Sequence, residues 1–262
     1  VCTPRAFDLA RIREALLAAA EAVRPFAPGE VAFSRKEGRG DPVTAADRAA
    51  DDVLREILAQ PGEGWLSEES VDDPARLGRR RVWVVDPIDG TREFIEGIPE
   101  WCVSIGLLED DVPVAGGIYN PATHELVLGA LETGVTLNGR PARVSEPDAR
   151  EKVTVLASRS EIRRGEWDGF GDAQLAVRPC GSVAYKLGLV AAGLADATWT
   201  LVPKSEWDVA AGCALVRAGG GVVTLADGRE PRFNKPEPTF PSFVAAGPAL
   251  AGRITRDWLK RA

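Results

Sequence analysis

Apolar residues recur at helical spacing from Phe7 to Val23, where Leu9, Ile12, Leu16, Ala19, Ala20 and Val23 share one face, so the pattern predicts an amphipathic helix. Gly38, Gly40 and Pro42 interrupt the chain. A second helical pattern follows over residues 45–58, with Ala46, Ala50, Val53, Leu54, Ile57 and Leu58 inward and Thr44 placed to cap it. The period then changes. Arg81-Val82-Trp83-Val84-Val85 reads as a strand running into Asp86, and residues 103–108, 112–119, 126–130 and 153–157 read as further strands linked by short turns. Residues 182–194, 209–218 and 253–261 read as helices, the first with Ser182 as its cap, while 221–225 and 243–246 fit strands between them. No internal repeat or low-complexity stretch is present. The turn-rich Ser145-Glu146-Pro147-Asp148 marks a boundary between an N-terminal α+β lobe, residues 1–145, and a C-terminal α/β lobe, residues 146–262, of one compact unit.

Composition narrows the class. Hydrophobic residues make up 45% and charged residues 27% of the 262, the balance of a soluble globular protein with a real core. No apolar run approaches the roughly 18 residues of a membrane span. Asp8, Arg11, Arg13, Glu14 and Glu21 interrupt the first apolar segment, which argues against a signal peptide and for a cytoplasmic protein with no membrane partner. Cys2, Cys102, Cys180 and Cys213 are widely spaced without a C-x-x-C pair, so free thiols are expected rather than a zinc site or a disulfide scaffold. The formal charge of −7 and the lack of a basic block argue against a polymeric nucleic-acid partner.

Chemistry concentrates at Asp86-Pro87-Ile88-Asp89-Gly90-Thr91, where an apolar strand delivers two carboxylates into a turn. Asp86, Asp89 and the intervening Ile88 carbonyl are hard oxygen donors of the kind that hold magnesium, and a helix start after Gly90 would aim backbone N–H groups at an anion. Leu66-Ser67-Glu68-Glu69-Ser70 adds acids upstream, and Asp208 opens an Ala-rich helix downstream. Each piece alone has a plainer reading. Asp89-Gly90 is a common turn pair, Asp208 is a suitable helix cap, Thr44 and Asp47 have the spacing of a capping box, and Lys36 reads as a surface charge. His124 is the one histidine in the chain, which rules out a multi-histidine metal site, and it reads as a loop residue.

Together the pieces are specific. D-P-I-D-G-T at 86–91, S-E-E at 67–69 and W-D-V-A-A-G at 207–212, with V-T-A-A-D at 43–47 and G-S-V-A at 181–184, resemble the inositol monophosphatase-like superfamily of magnesium-dependent, lithium-sensitive phosphatases. The resemblance implies a layered α/β/α/β/α sandwich. It also implies that Glu68, Asp86, Ile88, Asp89 and Asp208 hold two or three Mg2+ ions. Thr91 and Asp47, beside Glu68, would orient and deprotonate an attacking water. Gly90 and Thr91 would hold the phosphate by their backbone N–H groups. Gly181, Ser182, Lys186 and the segment 203–206 are the candidate substrate contacts. Phosphoryl transfer to metal-activated water then needs no phosphoenzyme and no histidine.

Within the superfamily, Thr91-Arg92-Glu93-Phe94-Ile95, Leu66-Ser67-Glu68-Glu69 and Glu206 before Trp207 lean toward the 3′(2′),5′-bisphosphate nucleotidase branch, with 3′-phosphoadenosine 5′-phosphate as substrate. Gly116-Gly117-Ile118-Tyr119-Asn120-Pro121 fits inositol-1-monophosphatase or another sugar-phosphate phosphatase equally well. A metal-binding regulatory protein would be expected to lack a ligand, and none is missing. The resemblance leaves monomer and homodimer open.

Overall fold

The computed structural model describes residues 4–35, 42–148, 152–170 and 174–259; Cys2, Lys36, Gly38 and Gly40 lie outside them, as does the expected helix end at Arg261. Helix α1 (Pro4–Val23) leads through strands β1 (Phe33–Arg35) and β2 (Pro42–Thr44) into α2 (Ala45–Leu58). Then come β3 (Gly64–Ser67), β4 (Arg81–Asp89), the short α3 (Thr91–Ile95) and β5 (Cys102–Glu109). Strands β6 (Val112–Asn120), β7 (Glu125–Ala130), β8 (Gly134–Leu137) and β9 (Arg140–Ala142) complete this half. The second half runs β10 (Val153–Ser158), α4 (Arg159–Arg163), β11 (Leu175–Cys180), α5 (Val183–Ala191), β12 (Ala197–Thr200) and β13 (Lys204–Ser205). It ends with α6 (Glu206–Ala218), β14 (Val222–Thr224), β15 (Thr239–Phe240), β16 (Phe243–Ala246) and α7 (Pro248–Arg253).

Strands β3 to β9 form one sheet in sequence order, parallel at β3–β4 and antiparallel thereafter. A second, mixed sheet has the order β11-β10-β12-β16-β14. Alternation along β4 assembles the layers. Trp83 and Val85 pack with Ile12 and Leu16 of α1 and Leu54 of α2 on one face, whereas Val82 and Val84 pack with Leu187 of α5 and Ala210 and Ala211 of α6 on the other. Burial of both faces is the reason the strand reads as an unbroken apolar run. Leu156, Phe243 and Ala245 of the second sheet close the middle layer, and Val155, Trp199 and Val244 face outward against Trp167, Ile254 and Trp258. The architecture is the expected α/β/α/β/α sandwich.

Helix α6 lies unusually close to the first sheet. A Cβ on Gly106 would sit 2.8 Å from the Ala210 Cβ, and one on Gly116 would sit 2.7 Å from the Ala211 carbonyl oxygen. The two glycines therefore set the depth at which the helix carries Asp208.

Several boundaries differ from the pattern. Helix α5 stops at Ala191 rather than 194, because Gly193 turns left-handed with φ of 73°. Helix α6 begins at Glu206, three residues before the expected Val209, because Ser205 caps it. The terminal helix begins at Pro248 rather than Arg253, with Pro at its first turn and Ile254–Trp258 continuing as a wider turn. Strands β3, β11 and β12 were not apparent from the pattern.

Candidate active site

Asp86 and Asp89 stand three residues apart, a spacing that places side chains on opposite faces of a regular strand. A bulge removes the conflict. Asp86 pairs with Ser104 and Asp89 with Cys102, so Pro87 and Ile88 together oppose the single Val103. Pro87 costs no ladder hydrogen bond there. Both carboxylates consequently line one cavity of about 440 Å³. Gly90 leaves the strand with φ of 99°, and a Cβ on it would meet the Glu100 carbonyl at 3.0 Å, so glycine is required twice over.

Asp208 reaches the cavity from the first turn of α6, where its Oδ2 accepts the Ser205 N–H at 2.9 Å in a capping box. Carboxylate oxygens of Asp86, Asp89 and Asp208 lie within 4.8 Å of one another. Glu68, just past the end of β3, lines the same cavity outside that tight group, and its charge raises the Asp86 carboxyl. Asp51 of α2 holds the Glu68 turn by accepting from both Ser67 Oγ and Ser70 Oγ, a clamp the sequence pattern did not reveal.

The electrostatics of this group are lopsided. Burial, and then the charges of Glu68, Asp89 and Asp208, hold the Asp86 carboxyl well above the usual carboxylate range. Burial, Asp89 and Glu68 do the same to Asp208. Asp89 is raised by burial despite donors at its Oδ2, namely the Ala184 N–H and Ser182 Oγ at 2.9 Å. Clustered acids form a negative field that a divalent cation would relieve. With the Ile88 carbonyl on the wall, the donor set is oxygen throughout and fits a hard cation. The nearby Cys102 thiol is pushed up by burial and by Asp89, so it stays protonated and is no ligand.

Thr91 lines the cavity, with Oγ1 at 3.0 Å from the Ile88 carbonyl and 3.1 Å from Asp47 Oδ1. Asp47 itself is not on the wall and reaches it through Thr91. Its Oδ2 accepts from Thr44 N at 2.7 Å and Thr44 Oγ1 at 2.6 Å, so the expected capping box is present as well. Burial raises the Asp47 carboxyl above its ordinary value. Gly90, Ser182 and Lys186 line the cavity, but Gly181 does not: its N–H donates to Glu100 Oε2 at 2.7 Å. The Lys186 ammonium donates to the Ser182 and Cys180 carbonyls, and burial lowers its pKa. Lys204 and Ser205, from the expected 203–206 segment, are on the wall. Arg92, Arg163, Arg164 and Ser160 also line it and were not singled out as contacts; Arg92 was read only as a marker of the nucleotidase branch. His124 is exposed in the turn after β6, with its Nδ1 at 3.4 Å from the Tyr119 hydroxyl.

Comparison with known proteins agrees with this geometry. A profile of the inositol monophosphatase family matches residues 5–258. An inositol-1-monophosphatase of Synechocystis sp. is 37% identical over 214 residues, covering 76% of this chain and 72% of that protein. The structure of an inositol monophosphatase from Anabaena (Nostoc) sp. PCC 7120 superposes with a TM-score of 0.84 at 30% identity, over 99% of this chain and 98% of the other. CysQ from Bacteroides thetaiotaomicron, described as a bacterial member of the same family, gives a TM-score of 0.76 at 30% identity over 92% and 97%. Sequence, fold and the convergence of acids thus agree, and the chain belongs to the inositol monophosphatase family of phosphatases.

Proposed function

We propose that this chain is a magnesium-dependent phosphate monoester hydrolase whose first substrate is an inositol monophosphate. The convergence of Asp86, Asp89 and Asp208 beside Thr91 carries the reading. Relatives bearing the name inositol-1-monophosphatase support the substrate over the nucleotide first expected from Arg92 and Glu206. Glu68, Asp86, the Ile88 carbonyl, Asp89 and Asp208 would hold two or three magnesium ions, which would neutralise the phosphate and acidify the attacking water.

The chain's own groups supply the rest. Thr91 Oγ1 orients the water and passes its proton to Asp47 Oδ1, 3.1 Å away. The raised pKa of Asp47 makes it a better proton acceptor than a surface carboxylate. The Gly90 and Thr91 backbone N–H groups, at the mouth of the bulge, face the phosphate.

A second reading is favoured by one observation. Arg163, Arg164 and Lys204 line the same cavity as the acids, where they suit a substrate with a second phosphate, as in 3′-phosphoadenosine 5′-phosphate. Phosphate release in magnesium from that nucleotide, inositol 1-phosphate and fructose 1,6-bisphosphate, compared by kcat/KM, separates the two. Inositol 1-phosphate is expected to lead by about tenfold, or 1.4 kcal/mol in transition-state binding. A lead for the nucleotide replaces the first reading with the second, and no magnesium-dependent release from any ester removes both.

A further inference from the structure

Behind the first turn of α6 lies a buried polar chain that neither the acid cluster nor the proton relay uses. Glu206, the first residue of α6, has no exposed surface. Its two carboxylate oxygens each accept one backbone N–H from consecutive residues, Asn234 at 2.7 Å and Lys235 at 3.2 Å. The two N–H groups converge because the Asn234 backbone is left-handed, with φ of 54°, the conformation in which successive N–H groups point at one anion. The Asn234 side chain continues outward, its Oδ1 accepting from Arg76 at 2.8 Å and its Nδ2 donating to Asp111 at 2.8 Å. Arg76 is 2% exposed and also donates to the Lys235 carbonyl at 2.9 Å. Its other bonds go to Asp72 at 2.6 and 2.8 Å, in the segment that leaves the Glu68 turn.

We propose that Arg76, Asn234 and Glu206 form a brace that positions Asp208 against Glu68 and thereby sets the affinity of the site for its divalent cation. The proposal rests on Glu68 and Asp208 being cation ligands. Those two acids come from different layers, one at a strand end and the other in the first turn of a helix. A first helical turn has N–H groups without intrahelical partners, so its placement depends on what it is tied to. Here it is tied at Glu206, two residues before Asp208. A buried ionic network contributes little net stability once desolvation is counted, but when every member is satisfied it holds one arrangement rigidly. These three are positioning residues, since none of them lines the cavity.

Two variants test the brace. Asn234→Gly keeps the left-handed backbone and the amide to Glu206 while deleting the bonds to Arg76 and Asp111. Glu206→Gln keeps the volume but turns an amide N–H toward a backbone donor. Magnesium binding is measured by titration calorimetry on the folded proteins without substrate. Each variant is expected to bind about tenfold more weakly, the usual cost of losing an outer partner of a metal ligand. Saturating magnesium should restore kcat, with KM for inositol 1-phosphate within about twofold of wild type. Folded variants that bind magnesium as wild type does would overturn the brace, and Asn234→Gly decides alone if Glu206→Gln does not fold. Absence of magnesium binding in wild type overturns the brace together with the ligand assignment, which separates that failure from the first.

Discussion

A group of acids gathers at each end of strand β4, and the chemistry of the two groups is opposite. At its start, Arg81 reaches Asp8 at 2.6 Å, Glu63 at 2.9 Å and Glu109, while Arg5 and Arg11 pair with the same acids. Burial pushes the Glu63 carboxyl up, but hydrogen bonds from Trp83, Arg81 and Arg11 outweigh it and leave the group below its ordinary value. Glu109 is lowered against burial in the same way by Arg5 and Arg81. At the far end, burial raises Asp86, Asp89 and Asp208, and the charges of neighbouring acids, Glu68 among them, add to it. Lys186 tempers Asp89, yet its ammonium is tied to carbonyl oxygens. Acids at one end of the strand are thus neutralised by arginines where they hold the fold, whereas those at the other end form a cluster whose charge suits a cation.

Substitutions at the two ends should separate these roles. Asp86→Asn is expected to lower phosphate release about a thousandfold, since the charge stabilisation supplied by a metal is worth several kcal/mol. Without metal the same variant should melt about 2–4 °C higher, because it removes one buried like charge. A lower melting temperature would mean that the acids are not in mutual conflict. Thr91→Val keeps the shape and deletes the hydroxyl; kcat should fall about a hundredfold with little change in KM. Near-normal kcat would break the Thr91–Asp47 relay.

Arg81→Ala should do the reverse, leaving turnover per folded molecule intact and costing about 2 kcal/mol in urea unfolding, less than a fully buried pair. Its pH dependence has a definite sign. Glu63 and Glu109 have folded pKa values below their unfolded ones, so their contribution is fully present above the ordinary glutamate value of about 4.3. It is lost as pH falls through the depressed folded values. The gap between wild type and Arg81→Ala should therefore be full at neutral pH and shrink in acid, and a gap that persists in acid would assign the loss to packing of the arginine stem.

Much of this was legible because it is local. Helices α1 and α2 follow from 3.6-residue periodicity, and the Thr44–Asp47 capping box from residues three apart. The two aspartates around Pro87 and Ile88 share one turn, so their chemistry can be read in six consecutive letters. Partners separated along the chain left no such trace. Asp47 and Thr91, which meet across 44 residues, were paired only through the family resemblance, and the Asp51 clamp and the Arg76–Asn234 bond have no periodicity or motif to announce them. Gly181 shows the converse: it stands in a familiar segment, yet packing commits its N–H to Glu100.

By itself the sequence determined the periodic elements, the family resemblance and the strand that ends in two carboxylates, because each is written in neighbouring residues. Only the tertiary structure decided that the bulge turns Asp86 and Asp89 into one cavity and that Gly106 and Gly116 let α6 bring Asp208 to them. It also decided which acids pair with arginines and which gather beside other acids. Charge interactions depend on distance in space, and that distance exists only once the layers have packed.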